Sequence, residues 1–243
     1  MSVAALFNNA LEYFQYVRIG RDFERDAETY QAKLNLIQLR LSQWGEVVGL
    51  DRITEHDKSL FPSSYVDVAT CTLEQIVRLF EDVEKKSKDF SRRASESDFT
   101  AHMKEMCTKM RSLSMNRKNK SVKTSFSTRT KWALVGRQEY SHLVDSVSGL
   151  VNELIAAFPA ETFIKKQEEI RHADAVELFN TNKDALELLK DAMGEQDERL
   201  RDALAKLCTP VVHHNSATFS GANNQGVNLG QNLGNSTFDL RRL

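Results

Sequence analysis

Apolar residues recur at steps of three and four along most of the first 208 residues. In the longest run these positions fall on one face of a helix, and they are Phe23, Ala27, Tyr30, Leu34, Ile37, Leu41 and Trp44. Gly45 and Gly49 follow the run and are expected to let the helix end. The pattern therefore predicts one long amphipathic helix at this point of the chain.

Six further stretches have the same periodicity. Three of them are marked by Leu73, Ile76, Phe80 and Val83; by Phe99, Met103, Met106, Met110 and Leu113; and by Leu143, Val147, Leu150, Leu154 and Phe158. Shorter helices are predicted over 3–17, 160–179 and 184–207, with a break at Gly194, and loops over 50–64 and 91–98. Because amphipathic faces must bury one another, residues 1–208 are predicted to form an all-α, multi-helix bundle.

The periodicity stops at Pro210. Residues 209–214 are interpreted as a linker and residues 215–243 as a separate tail. From Asn215 to Phe238 the tail is rich in Asn, Gln, Ser, Thr and Gly, with no Asp, Glu, Lys or Arg. Such a segment cannot bury enough apolar surface to order alone, so it is predicted to be disordered in the monomer. Stacked copies could still form Asn/Gln ladders around its spaced apolar residues, because no like charges would repel at each rung.

Composition and motifs exclude several classes of function. The formal charge of -1 argues against a general affinity for nucleic acid, and no apolar run is long enough to span a bilayer. Cys71, Cys107 and Cys208 have no metal-ligand spacing and are expected to be reduced thiols that pack in the core. None of the common catalytic motifs is present, and His213–His214 is interpreted as linker. No enzymatic activity, metal or cofactor is therefore expected.

A basic segment lies between Glu105 and Glu139, where the sequence has nine Lys or Arg and no acid. It would suit anionic lipid, and the residues expected to make that contact are Arg117, Lys118, Lys120 and Lys123. Nucleic acid is less favoured because no aromatic residues alternate with these charges. The alternative is a solvated basic face neutralised by the acidic helices around Glu81 and Glu195.

Several short motifs resemble the HeLo domain, the helical domain of fungal heterokaryon-incompatibility and prion proteins. The motifs occur in order through the helical region and include "LFNN", "GRDFERD", "RLSQWGEVVGL", "KWALVG" and "LIAAFP". The tail "FSGANNQGVNLGQNLG" is similar to the short Asn/Gly-rich amyloid motifs of fungal death effectors and their NLR-type receptors, and the sequence shows one such motif. It differs from the charged, paired repeats of the β-solenoid prion domain known in this family.

This resemblance implies a cytoplasmic cell-death effector that moves to the plasma membrane or into amyloid aggregates when activated. An NLR-type receptor with a matching motif would template the tail, and the bundle would then expose its amino-terminal segment for pore formation or membrane disruption. Self-association is implied through fibrils or through a dimer of the bundle. The expected membrane-engaging residues are Val3, Ala4, Ala5, Leu6 and Phe7. The expected amyloid residues are Thr218, Phe219, Ser220, Gly221, Asn224, Gly226, Val227, Leu229, Gly230, Asn232, Leu233, Gly234 and Phe238.

The amino end departs from the killing members of the family, which have a longer apolar leader than "MSVAA". Residues 1–17 would span about 25 Å as a helix, short of the roughly 30 Å hydrocarbon core, and Glu12 lies among them. As a resting helix this segment is expected in the core. On activation it would lie in the membrane interface, unless the amino end is truncated or the chain has lost killing. A non-killing prion-like adaptor or inhibitor is therefore the alternative function.

Overall fold

The computed structural model describes residues 2–19, 27–52, 63–87, 99–122, 132–134, 137–158, 161–194 and 197–208. The chain divides into a compact unit over residues 1–207 and a second segment over 208–243. Of the second segment only Cys208 is described, and the fold below is that of the first unit.

Eight helices form this fold within the described ranges. They are α1 (Val3–Tyr16), α2 (Ala27–Val47), α3 (Ser63–Ser87), α4 (Ala101–Asn116), α5 (Arg137–Ala156), α6 (Glu161–Thr181), α7 (Ala185–Met193) and α8 (Glu198–Cys208). The all-α prediction is confirmed, and the predicted break at Gly194 is present, with a φ of 45° that favours glycine. Phe23 and the loops at 53–62 and 91–98 lie outside the described residues.

Two short strands were not predicted. β1 (Val17–Ile19) directly follows α1 and pairs in parallel with β2 (Trp132–Leu134), with Val17 opposite Trp132. Each strand has three residues, too few for a period-two pattern to stand out from the flanking sequence. Their pairing fixes the exit of α1 beside the chain that enters α5.

The core has two parts that share α2. The first contains α1, α3, α5 and the α2 face predicted from the sequence, including Leu34, Ile37 and Trp44. The second joins the methionines of α4 to α6, α7 and α8, and α2 contributes Ala32, Leu36 and Leu39 to it. Helix α2 is therefore buried on two faces, whereas the sequence pattern predicted one. Polar residues lie between the faces and are also buried; they are Gln31, Asn35, Gln38, Ser42 and Gln43.

Gly45 lies inside α2, and the expectation that it ends the helix is wrong. The helix continues to Val47, and Gly49, with a φ of 81°, follows its end. A Cβ atom added at Gly45 would lie 2.9 Å or less from three carbons of the Phe7 ring. Glycine is therefore present at position 45 because α1 approaches the backbone of α2 there.

Gly45→Ala is expected to destabilise the bundle by about 1–3 kcal/mol, because the new methyl group must displace a fully buried ring. Chemical denaturation followed by circular dichroism measures this. Phe7→Leu in the same chain should recover part of the loss, since the smaller side chain makes room.

Gly149→Ala is the matched control, because Gly149 lies within α5 and an added Cβ would have nothing within 4 Å. At this position alanine should leave the free energy of unfolding unchanged or raise it by up to about 1 kcal/mol, because alanine has the higher helix propensity. Equal losses in the two variants would show that glycine is required for a reason other than the Phe7 contact.

The three cysteines differ in environment. Cys107 is buried in the second part of the core, whereas Cys71 and Cys208 are exposed, so core packing applies to only one of them. Burial raises the pKa of the Cys107 thiol to about 11.

A thiol reagent at pH 8 is therefore expected to modify Cys71 and Cys208 rapidly and Cys107 only on unfolding. Mass spectrometry of timed samples measures the three rates, with denatured protein as the control. Comparable rates at all three sites in the folded protein would contradict the burial of Cys107.

Candidate functional site

The five residues expected to engage a membrane lie in the first turns of α1, against the core. Ala4, Leu6 and Phe7 are buried, and Val3 and Ala5 are partly exposed. The expectation that this segment is a core helix at rest agrees with this packing. The apolar stripe cannot reach a lipid surface while α1 is docked, and a charge placed at Leu6 would disturb the bundle as well as any membrane contact.

The polar side of α1 is held by the segment that follows α4. We call four of its residues the α1 latch: Asn8 and Glu12 on α1, and Lys118 and Asn119 after α4. The Asn8 side chain donates from Nδ2 to the Asn119 carbonyl at 2.9 Å, and its Oδ1 accepts from the Asn119 backbone N–H at 2.9 Å. One turn later, Lys118 forms an ion pair with Glu12.

The amide pair of the latch is buried, whereas Lys118 is partly exposed, so the amide bonds matter most. Asn8 and Asn119 have exposures of 0% and 1%, so loss of either partner would leave polar groups without water. Asn119 also donates from Nδ2 to the Leu50 carbonyl at 2.7 Å, just beyond α2. The latch therefore ties α1 both to the basic segment and to the end of the central helix.

The last turn of α1 has its own contacts. Tyr13 stacks on Phe80 with ring centroids 5.4 Å apart, and its hydroxyl donates to Glu81 at 2.9 Å. Beyond Tyr16 the chain enters β1 and its pairing with β2. α1 is thus held along its length by aromatic packing, the latch and the strand pair.

The four residues expected to bind anionic lipid have different environments. Arg117 and Lys118 form ion pairs, Lys120 is exposed, and Lys123 lies outside the described residues. The partners are Glu46, Asp174 and Glu12, rather than the acidic groups around Glu81 and Glu195 that the alternative interpretation named.

Arg117 is an internal cross-link rather than a surface charge. It forms an ion pair with Glu46 on α2 and donates to Asp174 on α6 at 2.7 Å. Burial alone would lower the pKa of Arg117, but hydrogen bonds and charge from Asp174 and Glu46 outweigh it and raise the pKa. Arg117 is therefore committed to joining three helices.

Residues 209–243, with every amyloid residue named above, lie outside the described residues. His213 and His214 are among them. Within the described ranges, no group of His, Cys, Asp and Glu side chains could hold a metal ion. In the same ranges no helix has both the length and the apolar character that crossing a membrane requires.

The helical region matches a known family over most of its length. The family model for HeLo, described as "Prion-inhibition and propagation", matches residues 1–189. The chain belongs to the HeLo family. HeLo is a non-enzymatic signalling domain, which agrees with the lack of catalytic motifs in the sequence.

Two relatives from Podospora anserina are named for incompatibility. Heterokaryon incompatibility protein S is 35% identical over 222 residues, covering 89% of this chain and 75% of the relative. Heterokaryon incompatibility protein s is 34% identical over 224 residues, with the same coverage.

Solved structures match the HeLo fold directly. The HET-s N-terminal domain superposes with a TM-score of 0.70 at 31% identity, covering 85% of this chain and 96% of that one. A double mutant of that domain gives the same TM-score and identity, covering 84% and 97%. The resemblance drawn from short motifs is thus confirmed at the level of family and fold.

The latch was not predicted from the sequence. Asn8 lies within the "LFNN" motif, so its presence in a family motif was the one available signal, but its partner Asn119 is 111 residues away. Polar residues inside an amphipathic helix are usually assigned to solvent, and no local pattern identifies a buried amide that bonds to a distant backbone.

Asn8→Ala is expected to destabilise the HeLo bundle by about 1–3 kcal/mol, because the Asn119 backbone groups would remain buried without these partners. Relative to the wild type, amide hydrogen exchange in this variant should become faster in α1 and stay unchanged in α7. Asn116→Ala is the control, since Asn116 is exposed at the end of α4 and should change stability by less than about 0.5 kcal/mol. If exchange in α1 is unchanged in Asn8→Ala, the latch does not hold this helix.

Proposed function

We propose that this protein is a fungal incompatibility and cell-death effector in which α1 leaves the HeLo bundle to engage a membrane. The trigger is assembly of the tail into amyloid, templated by an NLR-type receptor with a matching motif. The names of the two relatives support the incompatibility role. The proposal rests on one observation. The apolar stripe of α1 is buried at rest, and a small number of defined contacts, including the Phe7 packing and the latch, hold it there.

Release of α1 has an identifiable start and end. The Phe7 ring would leave the backbone of α2 at Gly45, the latch would open, and the β1–β2 pair marks where the movement of α1 would stop. Five of the remaining helices share a core that does not involve α1, since the second part of the core is built from α2, α4, α6, α7 and α8. Exposure of α1 therefore does not require the whole bundle to unfold.

The released helix suits the membrane interface better than a spanning position. Its 14 residues correspond to about 21 Å, less than the roughly 30 Å hydrocarbon core. Asn8 and Glu12 lie one turn apart on one side, and Leu6, Phe7 and Phe14 supply the apolar side. An amphipathic helix of this kind lies in the headgroup region with its apolar face inward.

Loss of the latch would also change the charges near the membrane. Lys118 would lose Glu12 as a partner and could join Lys120, and Lys123 follows in the sequence. Each such charge contributes about 1 kcal/mol of attraction to an anionic surface. Arg117 is left out of this role because Glu46 and Asp174 hold it inside the bundle.

The tail supplies the trigger through its composition. Its uncharged Asn/Gly-rich residues, from Thr218 to Phe238, can stack in register without charge repulsion. Growth of such a stack brings many HeLo bundles together, and crowding of the bundles along the stack is proposed to break the latch.

The shortness of α1 and its Glu12 charge favour the alternative role of a non-killing adaptor or inhibitor.

Seeded vesicle leakage tests the proposal in the full-length protein. Fibrils of a 215–243 peptide are added to the full-length protein in the presence of dye-filled anionic vesicles. Dye release is expected when fibrils and protein are present together, and not with either alone. Val3→Asp should reduce this release strongly, because a carboxylate on the apolar face of an interfacial helix opposes the burial of that face and is repelled by the anionic headgroups. At the start of α1 the same carboxylate should leave the resting helix stable.

Val68→Asp is the matched control, since Val68 is 44% exposed on α3 and the charge change is identical. It should leak like the wild type. Fibrils that seed the protein without any leakage would favour the adaptor. If the peptide forms no fibrils, the proposed trigger is contradicted. If both Asp variants cause equal leakage, α1 is not the segment that contacts the membrane.

A further inference from the structure

A second cluster of buried charges lies on the side of α2 near α6 and α8. Arg40 extends from α2, Arg171 from α6, and Asp197 immediately precedes α8. Asp197 is 3.8 Å from each guanidinium, measured to the Nε atoms of Arg40 and Arg171. The three side chains are 11%, 7% and 4% exposed, so two positive charges share one buried carboxylate.

These charges are poorly satisfied by hydrogen bonds from the described residues. A separation of 3.8 Å is too long for a hydrogen bond, and the free capacity of Asp197 is further reduced because its Oδ1 accepts from the Leu200 N–H at 3.0 Å. Arg40 uses one Nη to reach Asn152, but its other Nη has no partner. Arg171 Nε and Nη1 make no hydrogen bond to the part of the chain that the structure describes, although Nε lies in the ion pair with Asp197.

Arg117 provides an internal comparison. It is also largely buried, but it has two carboxylates in close contact, and its pKa is raised. Burial instead lowers the pKa of Arg40 and of Arg171, because the charge of Asp197, supplemented at Arg171 by Glu168 and Asp174, does not compensate for lost hydration. Buried arginines in proteins are normally paired and hydrogen-bonded, so this set has donor capacity that an additional anion could use.

The cluster opens into a cavity of about 430 Å³. Its charged lining comprises Arg40, Arg171 and Arg199 against Asp197 and Glu198 among the described residues. The amides of Asn152 and Gln167 add polar groups, and Ile155, Phe158 and Ile164 form an apolar wall. The cavity is large enough for a phosphate group with a small polar substituent attached.

We propose that Arg40 and Arg171 form a binding site for a phosphate-bearing anion in this cavity. Two guanidinium groups match the oxygens of a phosphate, which can accept several bonds from planar forks. Arg40 Nη1 and Arg171 Nε and Nη1 are buried in the resting cluster, and to donate to the anion these guanidinium groups would turn toward the cavity. Arg199 adds a third positive charge at the rim, whereas Asp197 and Glu198 oppose the anion and reduce its affinity. Such a site would join α2, α6 and α8 through the ligand, and it does not depend on the function proposed above.

Thermal unfolding with inorganic phosphate tests the site, with sodium chloride at matched ionic strength as the reference. The wild type should show a saturable rise in melting temperature that chloride does not reproduce. Arg171→Gln should weaken binding by about tenfold or more, the value of one hydrogen bond to a charged group. Arg78→Gln is the matched control, because Arg78 is 71% exposed on α3, and it should bind phosphate like the wild type.

Asp197→Asn distinguishes a binding site from a purely structural ion cluster. Asparagine still caps α8, but removal of the opposing carboxylate should tighten phosphate binding by about tenfold. In a structural cluster the same variant would lose stability, and phosphate would not restore it. Arg40→Gln repeats the loss of affinity from a second helix if Arg171→Gln does not fold.

The source of the phosphate is resolved with two further probes. Inositol hexakisphosphate tests a soluble ligand, and phosphatidylcholine vesicles with and without about 5% of a phosphoinositide, a fraction set so that surface charge stays low, test a lipid headgroup. Arg171-dependent binding to either probe supports the site and identifies its ligand class. A wild type with no phosphate-specific stabilisation, or binding that Arg171→Gln retains in full, would overturn the proposal.

Discussion

The approach of Phe7 to the backbone at Gly45 sets the arrangement of the amino-terminal half of the bundle. Only a residue without a Cβ lets the ring lie directly on α2, and the same ring meets Trp44 edge-on at a centroid distance of 6.2 Å. This contact fixes the height of α1 on α2. Asn8 and Glu12 then face the segment after α4 and can form the latch, and β1 emerges beside β2.

Helix α2 is the shared element of both parts of the core, and its polar residues are adapted to that position. Gln38 donates to the Leu11 carbonyl on α1 at 3.0 Å, and Gln43 donates to Asp174 on α6 at 2.7 Å. Lys166 on α6 donates to the Glu46 and Val47 carbonyls at 3.1 and 3.2 Å, which satisfies the end of α2. A helix buried on two sides needs such partners because solvent cannot reach its polar groups.

The order and approximate bounds of the helices could be predicted from sequence because amphipathic periodicity is a local signal. The burial of the polar side of α2 could not, since Gln31, Asn35 and Gln38 resemble a solvent-facing side until their partners are known. Gly45 was misinterpreted for a similar reason: glycine near a helix end usually stops it, and the Phe7 ring that requires it is 38 positions earlier. The ion pairs of Arg117 and the Asn8–Asn119 bonds join residues far apart in the chain, which a basic or polar pattern does not reveal.

The parallel pairing of Val17 with Trp132 also limits the geometry of any released state. With β1 retained, α1 would swing like an arm about its carboxyl end, and the arm is about 21 Å long. Its first turn could then reach only surfaces within that radius of the strand pair. On the function proposed above, the bundle would have to approach a bilayer with the β1–β2 edge turned toward it, and three backbone residues would set which side of the molecule faces the lipid.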